Sequence, residues 1–242
     1  AALQAADGDL VTVLSGGEFT VLAPTNAAFD SFLTANGFAD LSEVPTDVLA
    51  NILLNHVVAG TVMSTDLTAA GAGYTQTNAT NMDGDVLSLY FNTSNGVVFN
   101  GVSTVAQADI EATNGVIHIV DQVIGLPTIA TFATADPTFE TLVAALTRPD
   151  LEVPFVTILS STGAGTPLTA FAPTNDAFGS LLTELGIDDL SQIDVNTLTA
   201  VLLTHVVGEA NVRAEDLTQD MPVPTLVGEN LTVDLTNGPQ LV

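Results

Sequence analysis

Three histidines, His56, His118 and His205, are the residues best suited to chemistry in this sequence. An imidazole works as a general base or as a metal ligand near neutral pH. A general base needs a nucleophile or a substrate pocket beside it, and the sequence nominates neither. Two of the rings follow an apolar residue by four positions, His56 after Ile52 and His205 after Val201. We therefore expect both to be buried, neutral and hydrogen-bonded to the main chain.

A metal site is the second chemistry that histidines suggest. His118 lies in a predicted strand, Val116–Val120, on the face opposite Ile117 and Ile119. With His56 it supplies only half of a zinc site, because zinc takes three or four ligands. The sequence contains no cysteine and no His-x-x-x-His or Glu-x-x-His spacing. We predict that His118 is structural or solvent-facing, and that the protein has no catalytic residues, no metal site and no cofactor.

Two acidic segments resemble fragments of calcium loops, Asp7-Gly-Asp9 and Asp83-Gly-Asp85. A complete loop continues with regularly spaced oxygen ligands and a bidentate glutamate, and neither segment does. Asp-Gly before a strand is typical of a plain turn. The glycosylation pattern Asn-x-Ser/Thr occurs at three positions, but the pattern alone predicts no glycan. These positions are Asn78, Asn92 and Asn230.

The chain contains an internal duplication. The segment Phe19–Phe29 recurs 149 residues later as Leu168–Phe178, and both copies contain Ala-Pro-Thr-Asn-x-Ala-Phe. Proline begins a helix without losing a hydrogen bond, and threonine or asparagine caps it, so these residues are predicted to be architectural. The repeated motif residues are Pro24, Thr25, Asn26 and Phe29 in the first copy and Pro173, Thr174, Asn175 and Phe178 in the second.

The pattern around the motif predicts an α+β fold. The motif joins a short strand, Phe19–Ala23, to a helix that ends near Asn36-Gly37. A second helix with apolar positions at helical spacing is predicted over Asp47–Val57. Alternating runs separated by Asp-Gly and Asn-Gly turns then predict strands of a meander. These runs are Val86–Phe91, Gly96–Phe99 and Val116–Val120.

Three of these segments, in order, resemble the signature boxes of fasciclin-like domains. They are the Ala-Pro-Thr-Asn segment, the helix that leads into His-Val-Val, and residues 114–124 (Asn-Gly-Val-Ile-His-Ile-Val-Asp-Gln-Val-Ile), which include His118 and Asp121. The resemblance implies a β-sandwich or wedge with packed helices, extracellular adhesion or matrix interaction, and no enzymatic activity. The family's middle box often contains Tyr-His. Here the pairs are Asn55-His56 and Thr204-His205, so integrin recognition through them is not expected.

The resemblance divides the chain into two tandem domains, 1–126 and 127–242. The first is expected to lack the start of its opening helix. The second is expected to lack its last strand box, because Asn237-Gly238 corresponds to Asn95-Gly96 of the first. The copies also differ in the segment Ala69–Asn81, which is longer in the first.

The charge of the chain limits its partners. There are 28 acidic residues and two basic ones, which gives a formal charge of −26. Phosphate backbones are repelled, so nucleic-acid binding is not expected. The longest apolar stretch, Val48–Met63, is interrupted by polar residues, so membrane insertion is not expected either. Divalent cations, held without specificity, and basic partners are compatible with this surface. We expect a bacterial source, from the sea or another salty medium.

These observations favour a secreted or cell-surface adhesion module that binds a protein or glycan partner through its loops and edge strands. Two linked copies would make it bivalent. The alternative is a structural subunit of a surface filament or layer, which would self-associate through open sheet edges. A third hypothesis is an enzyme, for which the sequence shows no nucleophile or metal signature, or a carrier of a small apolar ligand.

Overall fold

In a computed structural model, the duplicated sequence forms two units, Ala1–Pro127 and Thr128–Val242. The structure describes residues 2–162, 167–236, 238 and 240–242. The division lies next to the boundary that the repeat predicts, between residues 126 and 127. Asn237, which the sequence comparison paired with Asn95, lies outside the described residues.

The first unit begins with two short helices and then alternates strands with helices before a run of strands. Its elements are α1 (Ala2–Ala5), α2 (Leu10–Ser15), β1 (Phe19–Pro24), α3 (Asn26–Asn36), α4 (Thr46–Leu54), β2 (Val57–Ala59), α5 (Ser64–Ala70), β3 (Ala72–Thr80), β4 (Val86–Asn92), β5 (Val98–Phe99), β6 (Ser103–Ala112) and β7 (Gly115–Val120).

The seven strands of the first unit form one closed barrel in the order β1 to β7. Each strand pairs antiparallel with the next, and the parallel pair β1–β7 closes the ring. Closure leaves no open edge in this sheet, which removes a route to unwanted strand addition. The α+β class is confirmed. The predicted sandwich or wedge takes the form of a barrel in this unit.

Apolar side chains fill the barrel of the first unit. Alternate residues of β4 point inward, so that Leu89 and Phe91 are buried beside Phe99 of β5. Further apolar residues from β1, β2, α5, β7 and the segment after β7 complete this cluster, namely Leu22, Val58, Leu67, Val120 and Ile124. A separate cluster packs the helices together, with Leu33 of α3 and Leu49 and Leu53 of α4.

Helix α4 is shorter than predicted. The expected helix Asp47–Val57 ends at Leu54, and Val57–Ala59 instead forms β2. Helical spacing continues through Val57, which explains the error. The edge of β1 needs a strand partner, and β2 provides it by pairing Val57 with Val21. Two consecutive β-branched residues, Val57 and Val58, favour this extended conformation.

Two further strands of the first unit, β3 and β6, were not predicted from the sequence. In β3, threonine, glycine, alanine and asparagine replace the alternating large apolar residues that predict a strand. Its long pairing with β4 is what fixes it as a strand, with one irregularity between Gln76 and Thr80. In β6 the pairing with β7 is interrupted by two register shifts, which break the period of two in the sequence.

The second unit repeats the helices but has smaller sheets in the part of the chain that the structure describes. Strand β8 pairs with β9, and β10, β11 and β12 form a three-stranded sheet. Its elements are α6 (Ile129–Ala135), α7 (Glu140–Leu146), α8 (Phe155–Leu159), β8 (Leu168–Ala170), α9 (Asn175–Leu185), α10 (Val195–Thr204), β9 (Val206–Gly208), β10 (Pro222–Pro224), β11 (Asn230–Asp234) and β12 (Gln240–Leu241).

Gly115 is required where β7 begins beside β1. Its φ is +143°, and a Cβ built there would lie 1.8 Å from the carbonyl oxygen of Phe19. We expect Gly115→Ala to lower the free energy of unfolding of the first unit by at least about 3 kcal/mol, because the closing strand pair must separate. Both tyrosines of the chain, Tyr74 and Tyr90, lie in this unit, so tyrosine fluorescence during urea unfolding reports on it alone.

The matched control is Gly125→Ala, because a Cβ added at Gly125 would have no neighbouring atom within 4 Å. This variant should unfold within about 0.5 kcal/mol of the parent. Equal stability of the two variants would contradict the account of barrel closure.

Candidate functional site

His56 follows the end of α4 and is 2% exposed. Its Nδ1–H donates to the carbonyl oxygen of Ile52 at 2.8 Å, and its Nε2 accepts from the amide of Ile124 at 2.9 Å. A neutral imidazole has one donor and one acceptor, and both are used here. Burial lowers the pKa of His56 to about 4, although the hydrogen bond to Ile52 opposes the shift. The ring is therefore a neutral connector between α4 and the segment after β7.

His118 in β7 is 0% exposed and takes the opposite tautomer. Its Nε2–H donates to the carbonyl oxygen of Val62 at 2.9 Å, while its Nδ1 accepts from the amide of Asp109 at 3.1 Å. The two rings bond to different main-chain groups with all four nitrogens. They therefore offer no lone pair to a shared metal ion. Among the described residues, no group of three or more His, Asp or Glu side chains is placed to hold a metal.

Ser64, Asp109 and His118 match the residue types of a catalytic triad but not its order. The amide and hydroxyl of Ser64 both donate to the Asp109 carboxylate. These bonds, the hydroxyl's first, hold the pKa of Asp109 below its usual value. In a triad the histidine contacts the nucleophile, whereas His118 contacts the main chain of Asp109. The cluster fixes the start of α5 to β6, where Asp109 has a φ of 60°.

His205 occupies in the second unit the position that His56 has in the first. Its Nδ1 lies 2.7 Å from the carbonyl oxygen of Val201, four residues earlier. Its own carbonyl accepts from the amide of Phe171, as the carbonyl of His56 accepts from Leu22. The repeated histidine thus joins the end of a helix to the strand that begins the repeat.

The repeated helix starts use the same cap. Thr25 and Thr174 accept hydrogen bonds through Oγ1 from the amides of Ala28 and Ala177. Asn26 and Asn175 are therefore the first helical residues rather than the caps. Both cap contacts are local, between residues three positions apart.

The remaining motif residues also make contacts within the fold. Asn175 accepts from the amide of Thr141 and donates to the carbonyl of Pro137, which fixes α9 to the region before it. Asp121 accepts from the amide of Thr104. The others lie in strands or pack in cores: Pro24 pairs with Val120 in β1–β7, Phe29 packs against the helix cluster, Pro173 precedes the Thr174 cap, and Phe178 is buried.

Asn55, the residue before His56, is fully buried in the first unit. Its Nδ2 donates to the carbonyls of Ile124 and Gly125, and its Oδ1 accepts from the hydroxyl of Thr77. It shares with His56 the task of holding the segment after β7. The side chain of Asn55 is therefore enclosed by the fold.

The Asp83-Gly-Asp85 segment forms a turn between β3 and β4. The side-chain oxygen of Asn81 accepts from the amides of Asp83 and Asp85 and so closes the turn.

Among the residues that the structure describes, no helix is both long and apolar enough to cross a membrane.

Sequence reasoning missed one surface, on the outside of the first barrel. Residues directly opposite in antiparallel strands share a face, and Tyr74 lies opposite Tyr90 and Gln76 opposite Ser88. The neighbouring residues Leu89 and Phe91 point into the core, so this face points away from it. We call it the tyrosine face, and it consists of Ala72, Tyr74, Gln76, Ser88, Tyr90, Asn92 and Val98.

Comparisons with known proteins place the fold. The family model for the fasciclin domain matches residues 1–127 and 137–242. The chain is 31% identical over 228 residues to the transforming growth factor-beta-induced protein ig-h3 of Sus scrofa, which covers 90% of this chain and 30% of that one. It is 41% identical over 80 residues to the cell surface glycolipoprotein MPB83 of Mycobacterium bovis, which covers 27% and 34%. The chain thus spans about a third of the length of these relatives.

A solved structure resembles the chain over both units. It is a FAS1 domain pair from the insect cell adhesion molecule fasciclin I, with a TM-score of 0.55 and 18% identity. The match covers 96% of this chain and 82% of that one. At this identity the likeness concerns the fold, and it confirms two tandem domains of this type.

The buried His56 makes the stability of the first unit depend on pH. The unfolded ring takes up a proton near pH 6.5, whereas the folded ring resists protonation until about pH 4. Its contribution is complete above pH 6.5 and is lost as the pH falls toward 4, by up to about 3 kcal/mol. Tyrosine-detected urea unfolding between pH 7.5 and 4.5 measures the effect. In His56→Gln this component of the pH slope should vanish, and parallel slopes for parent and variant would contradict it.

Removal of the Asn55 side chain should leave buried polar groups without partners. We expect Asn55→Ala to lower the free energy of unfolding of the first unit by about 2–3 kcal/mol, because Thr77 and two main-chain carbonyls lose hydrogen bonds. Asn95→Ala, at an exposed turn position, is the control and should change stability by less than about 0.5 kcal/mol. A neutral Asn55→Ala in the tyrosine-detected transition would refute this role.

Proposed function

The chain belongs to the fasciclin domain family, and we propose that it is an extracellular or cell-surface adhesion module that binds a protein or glycan partner. The fold match to a cell adhesion molecule and the sequence match to a cell surface glycolipoprotein support this proposal. The main supporting observation concerns the polar residues that recur in both copies. Their side chains form hydrogen bonds to the main chain of the fold, so we expect recognition to depend on other surface residues.

The proposal assigns no catalytic step to the chain. Both ring nitrogens of His56 and of His118 are hydrogen-bonded to main-chain groups. The hydroxyl of Ser64 donates to a carboxylate rather than to an imidazole. General-base chemistry would require one of these bonds to be given up. Transport of an apolar ligand is not favoured, because side chains fill the barrel of the first unit.

Two domains in one chain make bivalent binding the expected mode. A second binding event becomes intramolecular when both units engage one surface, and avidity then exceeds the affinity of either unit. The formal charge of −26 favours partners that are neutral or basic. Divalent cations would associate with the acidic surface without a dedicated site.

A structural subunit of a surface filament is the second candidate. Strand β8 pairs with β9 on one side, and within the described residues its other edge has no strand partner. An open edge is a template for strand addition by another chain. Self-association through this edge would increase the sedimentation coefficient with protein concentration, whereas an adhesion module remains monomeric across the same range.

Attachment of cells from the source organism to the immobilised chain tests the adhesion proposal. We expect saturable attachment several-fold above that on a non-adhesive protein of similar negative charge, because adhesion needs complementary surfaces rather than charge alone. Attachment should persist at about 0.5 M NaCl, since screening weakens only exposed charge contacts. Attachment equal to that on the control protein would reject the adhesive function.

A further inference from the structure

We propose that Asn95 is a site of spontaneous covalent modification, at which the folded chain converts its own asparagine to aspartate and isoaspartate. The inference does not rest on the adhesive function. It concerns the Asn-Gly pairs of the sequence, which the fold holds in different ways.

An asparagine that precedes a glycine can react with its own main chain. The amide nitrogen of the glycine gives up its proton to a base and attacks the side-chain carbonyl carbon, so that a new C–N bond forms. The bond to the side-chain nitrogen breaks, and ammonia leaves with a proton from the base. Water then opens the resulting succinimide ring at either carbonyl, which gives aspartate or isoaspartate. Glycine favours the attack because it has no Cβ to obstruct it.

The chain contains five Asn-Gly pairs, and the structure describes the asparagine of four of them. The reaction requires the side-chain carbon to approach the glycine nitrogen, so a side chain that is fixed elsewhere reacts slowly. The four asparagines are Asn36, Asn95, Asn100 and Asn114, and the fifth, Asn237, lies outside the described residues.

Asn36 is held at the end of α3. Its Nδ2 donates to the carbonyl oxygen of Phe32 at 2.8 Å. The attacking nitrogen is that of Gly37, whose amide donates to the carbonyl oxygens of Leu33 and Thr34. Both reacting groups are therefore engaged in the helix, and the attack requires its last turn to open.

Asn100 and Asn114 are fixed by contacts with residues distant in the chain. Asn100 is 3% exposed, and its Oδ1 accepts from the amide of Tyr90 at 2.9 Å. The Nδ2 of Asn114 donates to the carbonyl oxygens of Leu14 and Gly17, at 2.7 and 3.0 Å. Burial keeps water and base away from the first side chain, and the second must break two hydrogen bonds before it can turn toward its own glycine.

Asn95 is exposed in the turn between β4 and β5. Within the part of the chain that the structure describes, its side chain makes no hydrogen bond. Gly96 is exposed as well, with a φ of +82°, and apart from its chain neighbours no atom lies within 4 Å of the position that a Cβ would take. The side chain of Asn95 is therefore free to rotate toward the glycine nitrogen, and water reaches both groups.

Hydrogen bonds just before Asn95 fix the start of this turn. The amide and the hydroxyl of Thr93 both donate to the carbonyl oxygen of Gly71. The amide and the hydroxyl of Ser94 both donate to Oδ1 of Asn92. None of these bonds uses Asn95, so conversion leaves them in place. It adds a negative charge to the turn, and isoaspartate also lengthens the main chain there by a methylene group.

Incubation of the full chain in mildly alkaline buffer tests the inference. Mass spectrometry of peptides produced at acidic pH follows the amide-to-acid conversion of each asparagine, and protein isoaspartate methyltransferase measures the isoaspartate. We expect Asn95 to convert at least about tenfold faster than the other three described asparagines, because its side chain reaches the attacking geometry without breaking a bond. In urea that unfolds the chain, the four rates should agree within about threefold, since the fold then no longer holds any of them.

Asn95→Gln removes the site and keeps the side-chain amide, because glutamine would have to form a larger and less favourable ring. We expect the rapid release of ammonia from the folded chain to disappear in this variant. Asn36→Gln, at another Asn-Gly pair, is the matched control and should retain the rapid release. Unfolding of a variant cannot imitate the expected loss, because it would free the other asparagines and raise their rates.

Conversion of Asn36, Asn100 or Asn114 in the folded chain as fast as that of Asn95 would overturn the inference. Conversion of Asn95 that is about tenfold slower in the folded chain than in urea would overturn it as well, since the fold would then protect this pair too.

Discussion

The first unit depends on two buried polar side chains that fix the segment after β7, and we call this pair the polar joint. The ring of His56 and the amide of Asn55 together bond to the main chain at Ile124 and Gly125. One turn earlier, in α4, Asn51 fixes β3, because it exchanges two hydrogen bonds with the main chain of Thr80. The parallel pair of β1 and β7 closes the barrel, so β7 must be fixed where it ends. The polar joint does this by bonding to the main chain just after β7. Buried groups this well paired are costly to disturb.

The same joint explains why the repeated histidines are poor candidates for chemistry. A functional base needs a free lone pair at the working pH, and burial has lowered the pKa of His56 to about 4 while its hydrogen bonds use both nitrogens. His205 keeps the bond to the carbonyl four residues earlier and the strand contact through Phe171. The duplication therefore preserves a way of joining helix to strand.

Local patterns in the sequence predicted the parts of the fold that local interactions stabilise. The Thr25 and Thr174 caps need only residues three positions away, so the helix starts could be predicted. Strand β3 depends on its pairing with β4 and on Asn51, contacts that no local pattern contains. The predicted end of α4 was wrong for the same reason. The pairing of Val57 with Val21 of β1, a contact distant in the sequence, makes this segment a strand.

The candidate site shows the same difference between local contacts, which the sequence predicts, and contacts between residues distant in the chain, which it does not. Burial of His56 followed from its place four residues after Ile52, whereas the bonds of His118 to Val62 and Asp109 join residues distant in the chain. The tyrosine face escaped notice because Tyr74 and Tyr90 are sixteen positions apart and meet only through strand register. The absence of charge between Gly71 and Ala108, apart from the turn, was visible in the sequence and was the one signal that pointed to it.

The central claim is that these histidines are scaffold, each fixed in one tautomer by main-chain partners. Two-bond ¹H–¹⁵N correlation spectra of the imidazole rings in the full chain test it directly. The account predicts that His56 carries its proton on Nδ1 and His118 on Nε2, and that His56 remains neutral at about pH 5.5. A His56 ring that titrates near pH 6.5, or that exchanges rapidly between tautomers as a solvent-exposed ring does, would contradict it.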